Sequence, residues 1–253
     1  MNNQLIKLIE KYLRLYLELI EPRPRLKNEA SLEERYITTT DLVPHDFFED
    51  ESTSNCNKNI SYREFGNSYI IFNDLKNSTS ILEECESVGK ECIYVGYIYY
   101  TSKLLADILD LIGGKIVEIT GDGNYSIIKK IDFKDFKFGL FYDGLEHLFI
   151  NFNAKKYFKS YQRLFDELEL HGLNNDTKKH EKLRQLIFCI FAVFNIQVNK
   201  KLKVYQYNFD FAMRVGCEKG DCKITRFDIS NHIRQDKLIG SVVNQAAHQA
   251  MGK

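Results

Sequence analysis

An α+β fold built on a ferredoxin-like unit is predicted by three observations. An apolar run ends in FNDLKNST, a helical repeat follows it, and two short strand patterns then meet around GDG. Strand, helix and hairpin in that order make the first half of such a unit. The chain has 253 residues with 44% apolar content, enough for one sizeable core with elaborations. Lys plus Arg and Asp plus Glu number 35 each, so no net field favours nucleic acid or an anionic membrane. A polyanionic ligand would need a local basic pocket.

Residues 1–60 read as an N-terminal helix with an irregular lead-in, and residues 61–253 as the main domain. In the first segment Leu5, Ile9, Tyr12, Tyr16 and Leu19 recur at helical spacing until Pro22 and Pro24 stop the helix. Lys7, Glu10, Lys11, Arg14 and Glu18 interrupt it too often for a membrane span. Its apolar stripe suits packing on its own domain, and a dimer seam is the alternative. Residues 22–60 carry charge and hydroxyls with few core anchors.

Residues 68–74 suit a strand covered on both faces, and Ser80 with Glu83 gives a capping-box signal for the helix after it. Tyr97, Thr101, Leu104, Ile108 and Leu111 predict a second helix ending at Gly113-Gly114. Lys115 to Thr120 and Asn124 to Ile128 then read as strands joined around Gly121-Asp122-Gly123. Residues 130–200 look like an insertion. It holds an aromatic patch from Phe133 to Phe152, a helix-like stretch 155–170, a polar break at His171 to Asp176, and a buried helix over 180–196. A strand is expected from Val204 to Val215, a turn at Glu218-Lys219-Gly220, and a return strand from Lys223 to Asp228. Val242 to Ala250 reads as a helix with Asn244 and His248 on one face.

The cysteines at 56, 85, 92, 189, 217 and 222 lack paired CxxC spacing, and the N-terminus lacks the order of a signal peptide. Reduced thiols and a cytoplasmic location are the expectation.

Taken singly, Asp74 reads as a helix cap and Asp122 as a turn former. Together they fall at the same end of neighbouring strands, where their carboxylates can converge as hard ligands for a divalent ion. The helix after Asp74 offers free N–H groups to phosphate oxygens, which makes Ser78 and Thr79 candidate substrate-binding residues.

FNDLKNST, EITGDG, MRVGCEKG at 213–220 and GSVVNQAAH resemble the active-site motifs of class III nucleotidyl cyclases. The resemblance covers roughly residues 68–128 and 209–250, with residues 1–60 and 130–200 outside it. It implies that Asp74 and Asp122 bind two Mg²⁺ or Mn²⁺ ions and that Asn244 orients the ribose. His248 stands where the family has a transition-state arginine; it keeps a donor but lacks the permanent bidentate charge. Arg234 or Lys237 could substitute, or the domain could be an inactive nucleotide-binding module. The family's base-reading positions fall on Glu118 and Lys237, with the charge order of adenylate cyclases reversed. A carboxylate accepts from a ring N–H and an ammonium donates to a carbonyl, which suits uracil or guanine.

The small chain with its divergent insertion is similar to the pyrimidine cyclases of bacterial Pycsar antiphage systems. That similarity implies UTP, then CTP, as substrate, and cyclic UMP or cyclic CMP acting on a separate effector. GTP and ATP rank lower. The class III resemblance further implies a head-to-tail homodimer with shared sites, while the balanced charge and the interrupted first helix give the expectation of no nucleic-acid partner and no membrane. A diguanylate cyclase is disfavoured because Gly113-Gly114 leads into Lys115 and not an acidic GG(D/E)EF hairpin.

Overall fold

Every strand of the sheet pairs antiparallel with its neighbours, and a 16-residue strand, Ile60–Leu75, lies at its centre. The computed structural model describes residues 2–21, 53–57, 60–129, 143–144, 146–147, 150, 179–230 and 233–252. In chain order the elements are α1 (Asn2–Ile20), β1 (Thr53–Asn57), β2 (Ile60–Leu75), α2 (Ser78–Ser87), α3 (Glu91–Ile112), β3 (Gly114–Thr120), β4 (Gly123–Ile128), α4 (Lys179–Val204), β5 (Met213–Ser230), β6 (Ile233–Ile239) and α5 (Ser241–Met251). The sheet order is β3-β4-β2-β5-β6, with β1 pairing to β2. Removing β1 and β6 leaves the interleaved strand order of two split βαβ units, which is the ferredoxin-like arrangement expected from the sequence.

The two sheet faces bury different partners. Tyr69, Ile71, Leu75, Ile116, Ile128, Met213, Val215 and Cys217 face a large core shared with α1, α2, α3 and α4. Ile70, Phe72, Val117, Ile127, Cys222 and Ile224 face a smaller core closed by Val242, Val243, Ala246 and Ala247 of α5. This alternation along β2 and β5 follows from the period of two in strands.

The first helix packs on its own domain. Leu5, Ile9, Tyr12 and Tyr16 are buried, and the Tyr16 hydroxyl donates to the Ile93 carbonyl of α3 at 3.0 Å. Gly96 of α3 sits under Leu19, where an added Cβ would meet Leu19 Cδ2 at 2.1 Å. Tyr16, Tyr97, Phe194 and Phe211 form one aromatic cluster, with Tyr97 and Phe211 stacked at 3.9 Å.

Four expectations change. β2 begins at Ile60 and not at residue 68, because its outer half is held by pairing with β1 and the distal half of β5 and needs no apolar run. The lead-in contributes β1. The buried helix runs on to Val204, and Asn199 then clamps the loop by exchanging two hydrogen bonds with the Phe211 backbone, so the strand starts only at Met213. No turn forms at Glu218-Lys219-Gly220: β5 is one strand through Ser230, and Gly220 lies opposite Ser68 with α5's Val242 against it. The aromatic patch at Phe133 to Phe152, apart from isolated positions, and the segments 155–170 and 171–176 lie outside the described residues.

Candidate active site

Asp74 is the penultimate residue of β2 and pairs with Gly123 of β4 on one side and Arg214 of β5 on the other. Asp122 immediately precedes Gly123 in the two-residue β3–β4 turn, so backbone register alone brings the two aspartates to one sheet edge. In that turn Gly121 takes the positive φ, 66°, and Asp122 is the second turn residue. Gly123 is tightly enclosed, since a Cβ there would lie 2.6 Å from the Asn73 carbonyl oxygen.

The Asp122 charge acts on the Asp74 carboxylate, and the Arg214 guanidinium donates from Nη2 to Asp74 Oδ2. The Asp74 side chain is only 15% exposed. Burial raises its pKa above the ordinary carboxylate value; the Arg214 hydrogen bond pulls it back, and the charge of Asp122 pushes it up again. The net direction is upward. Two crowded oxygen-donor groups that repel each other fit a hard divalent cation such as Mg²⁺ or Mn²⁺. Among the described residues no group of three or more His, Cys, Asp or Glu side chains clusters to enclose an ion.

Beyond Asp74 the chain turns through Asn77 in the left-handed region, φ 57°, and α2 starts at Ser78. The capping-box reading is corrected here: Ser80 is already inside the helix, and no side chain caps its first turn. An uncapped first turn leaves its N–H groups free for an anion. Ser78 is half-buried and Thr79 exposed at this terminus. Tyr94 of α3 completes the corner. Its phenol is raised by burial and by the charge of Asp122, while a hydrogen bond with Ser78 acts in the opposite direction.

Glu118 and Lys237 also meet. Lys237 Nζ lies 3.2 Å from Glu118 Oε1, with side-chain exposures of 45% and 13%. The two belong to β3 and β6, the opposite ends of the strand order, so the sheet curls enough to bring its edges together. A register shift between Ile116 and Glu118 turns Glu118 to pair with Tyr125, whose ring lies 4.6 Å from Phe72. Burial and then Glu118 raise the Tyr125 phenol, with Asp74 adding to it, so the row Glu118–Tyr125–Phe72 leads toward the aspartates.

Asn244 and His248 lie together on the exposed face of α5, opposite the buried Val242, Val243, Ala246 and Ala247. Glycine at 216 lets that helix lie flat on β5, because a Cβ there would be 1.8 Å from the Ala246 carbonyl oxygen. Cys85, Cys92, Cys189, Cys217 and Cys222 carry free thiols. Among the described residues no helix is long and apolar enough to cross a membrane.

Sequence reasoning missed Arg214 and Tyr94. Arg214 had a legible signal: it is the cation in MRVG, beside the predicted aspartate strand. Tyr94 had none, since its place depends on how α3 packs.

No protein-family model and no curated protein matches this chain. Among solved structures it is similar to a class III adenylyl cyclase-like ATP-binding protein from Pseudomonas aeruginosa, with 10% identity and a TM-score of 0.46, covering 76% of this chain and 32% of that one. It is also similar to the adenylyl cyclase CyaB from P. aeruginosa, with 15% identity and a TM-score of 0.43 over 76% and 74% of the two chains. For the guanylyl cyclase Cya2 the values are 15% and 0.38 over 75% and 70%. Identities and scores this low transfer neither fold nor activity, and the ferredoxin-like topology rests on the strand order itself.

Proposed function

We propose that this protein is a nucleotidyl cyclase that closes a nucleoside triphosphate to its 3′,5′-cyclic monophosphate with release of pyrophosphate. The observation that carries this reading is the meeting of Asp74, Asp122 and Arg214 at the tips of β2, β4 and β5, beside an uncapped helix N-terminus. Asp74 and Asp122 would hold two Mg²⁺ or Mn²⁺ ions. When bound, such ions lower the pKa of a coordinated hydroxyl and neutralise phosphate charge. Arg214 balances the aspartates' charge in the free protein and can turn its guanidinium to phosphate when they are neutralised. Ser78, Thr79 and the free N–H groups of α2 would receive the outer phosphates. Asn244 would orient the ribose, and His248, when protonated, would stand near the charge that develops on the phosphate.

Glu118 and Lys237 would read the base, accepting from a ring N–H and donating to a carbonyl. That pattern supports UTP or GTP; the similarity to Pycsar pyrimidine cyclases puts UTP first and CTP next, ahead of GTP and ATP, and supports a second-messenger role in antiphage defence. A head-to-tail homodimer would complete each site, with the aspartates from one protomer and Asn244 and His248 from its partner.

Purified protein incubated with each labelled triphosphate and Mn²⁺ tests the reading. Cyclic UMP as the main product is expected, and its formation should be abolished by Asp74→Ala. A linear or cyclic dinucleotide, or no product from any of the four triphosphates by a folded protein, would overturn it.

A further inference from the structure

Four unpartnered buried polar atoms lie on the sheet face toward α3, opposite the face that carries the Asp74 carboxylate. Asn73 is 0% exposed, and neither its Oδ1 nor its Nδ2 has a hydrogen-bond partner among the described residues. Asn124, its direct cross-strand neighbour, is 3% exposed. Its Nδ2 donates to Ser102 Oγ of α3 at 3.2 Å, while its Oδ1 is unpartnered. Ser126 is 0% exposed and its Oγ is also unpartnered. Thr101 Oγ1 on α3 has no proton to offer them, because it donates to the carbonyls of Tyr97 and Ile98.

Strand alternation puts the three side chains on one face. Asn73 adjoins Asp74, and Asn124 adjoins Gly123, so both amides turn toward α3 when the Asp74 carboxylate turns away. Ser126 pairs with Ile71 and is therefore diagonal to Asn73. Such diagonal neighbours sit about 7–8 Å apart, too far for a serine hydroxyl to bond directly but within the span of one bridging water. The chemistry also matches. Two amide oxygens accept, one amide nitrogen donates, the hydroxyl does either, and a water molecule donates twice and accepts twice. Buried groups of this kind are rarely left unsatisfied, because each would carry its full desolvation cost.

We propose that Asn73, Asn124 and Ser126 form a buried water-binding site that ties β2 to β4 beneath Asp74 and Asp122. The site fixes the two strand tips and is independent of the reaction proposed above.

A high-resolution crystal structure of the full chain tests it directly. An ordered water within about 3.2 Å of polar atoms from at least two of the three side chains is expected. Direct bonding of Asn73 to Asn124 or Ser126 with no water between them would overturn it. Ser126→Ala supplies the solution test, since it deletes one oxygen without adding volume. If the hydroxyl holds water, the Tm falls by about 2–4 °C. If the hydroxyl is an orphan, the Tm stays level or rises, and the proposal fails.

Discussion

Gly216→Ala should unseat the helix that carries Asn244 and His248. The Cβ added at 216 would lie 1.8 Å from the Ala246 carbonyl oxygen, 2.8 Å from its carbon and 2.9 Å from the Ala250 nitrogen. All three are helix backbone atoms, so no side-chain rotation relieves the clash. Ordinary carbon–oxygen approach is near 3.3 Å, which requires α5 to move by about 1.5 Å. The helix is held by Val242, Val243, Ala246 and Ala247, between 0% and 7% exposed, and a shift of that size strips contact from all four. Overpacking ordinarily costs about 1–3 kcal/mol, and partial re-exposure of two valines adds to it, so about 3 kcal/mol or more is expected. For a chain of this size that lowers the Tm by about 6–12 °C. Hydrogen exchange over residues 241–251 should accelerate before the sheet opens. Gly66→Ala is the control, because its Cβ meets only Asp221 Oδ1 at 3.7 Å. A Gly216→Ala protein whose Tm and α5 protection match those of the control would refute the packing argument.

Asp122→Asn should separate stability from activity. Because folding raises the pKa of Asp74, the native chain keeps that proton to higher pH than the unfolded chain, and stability falls as pH rises through the window between the two values. Removing the Asp122 charge relieves part of this, so the variant should be more stable at neutral pH, with the gain vanishing at acid pH, while product formation collapses. Thermal melts across a pH series check the sign. Exchanging the charges in a Glu118→Lys, Lys237→Glu protein should keep the ion pair, change stability by less than about 1 kcal/mol and move product ratios from UTP toward ATP in a mixed-triphosphate assay. An unchanged ratio would remove these residues from base reading. Mixing Asp74→Ala chains with Asn244→Ala chains should restore turnover in one of two composite sites, and failure of two folded, dimeric proteins to complement would count against shared sites.

The fold was legible where periodicity and turn chemistry agree. Gly113 takes φ 78° at the end of α3, as its place after a helical repeat implies, and Gly121 opens the hairpin. The errors came from reading glycine as punctuation. Gly220 looked like a turn because it follows Glu218 and Lys219. In fact Gly216 and Gly220 share one face of β5, at the strand spacing that lets α5 lie against backbone. A glycine required by close approach and one required by a turn look alike until the partner helix is known.

The same difference separates the site residues that sequence found from those it missed. Asp74 and Asp122 are placed by backbone register, a local property that two strands and a two-residue turn encode. Arg214 is placed by register too, but by the pairing of β2 with a strand 140 residues away in sequence, which no local pattern encodes. Glu118 and Lys237 meet only because the sheet curls and Val117 bulges, so their contact depends on tertiary shape. Their pairing also changes what each must do on binding. With Glu118 only 13% exposed, a ligand that takes its carboxylate must supply a donor as good as Lys237 or leave a nearly buried charge without a partner. Under the proposed reading, a base with a ring N–H beside a carbonyl would meet both residues at once, and one lacking either group would leave one of the two charges uncompensated. If Glu118 and Lys237 read the base as proposed, the ion pair in the free protein would act against the wrong base as well as for the right one.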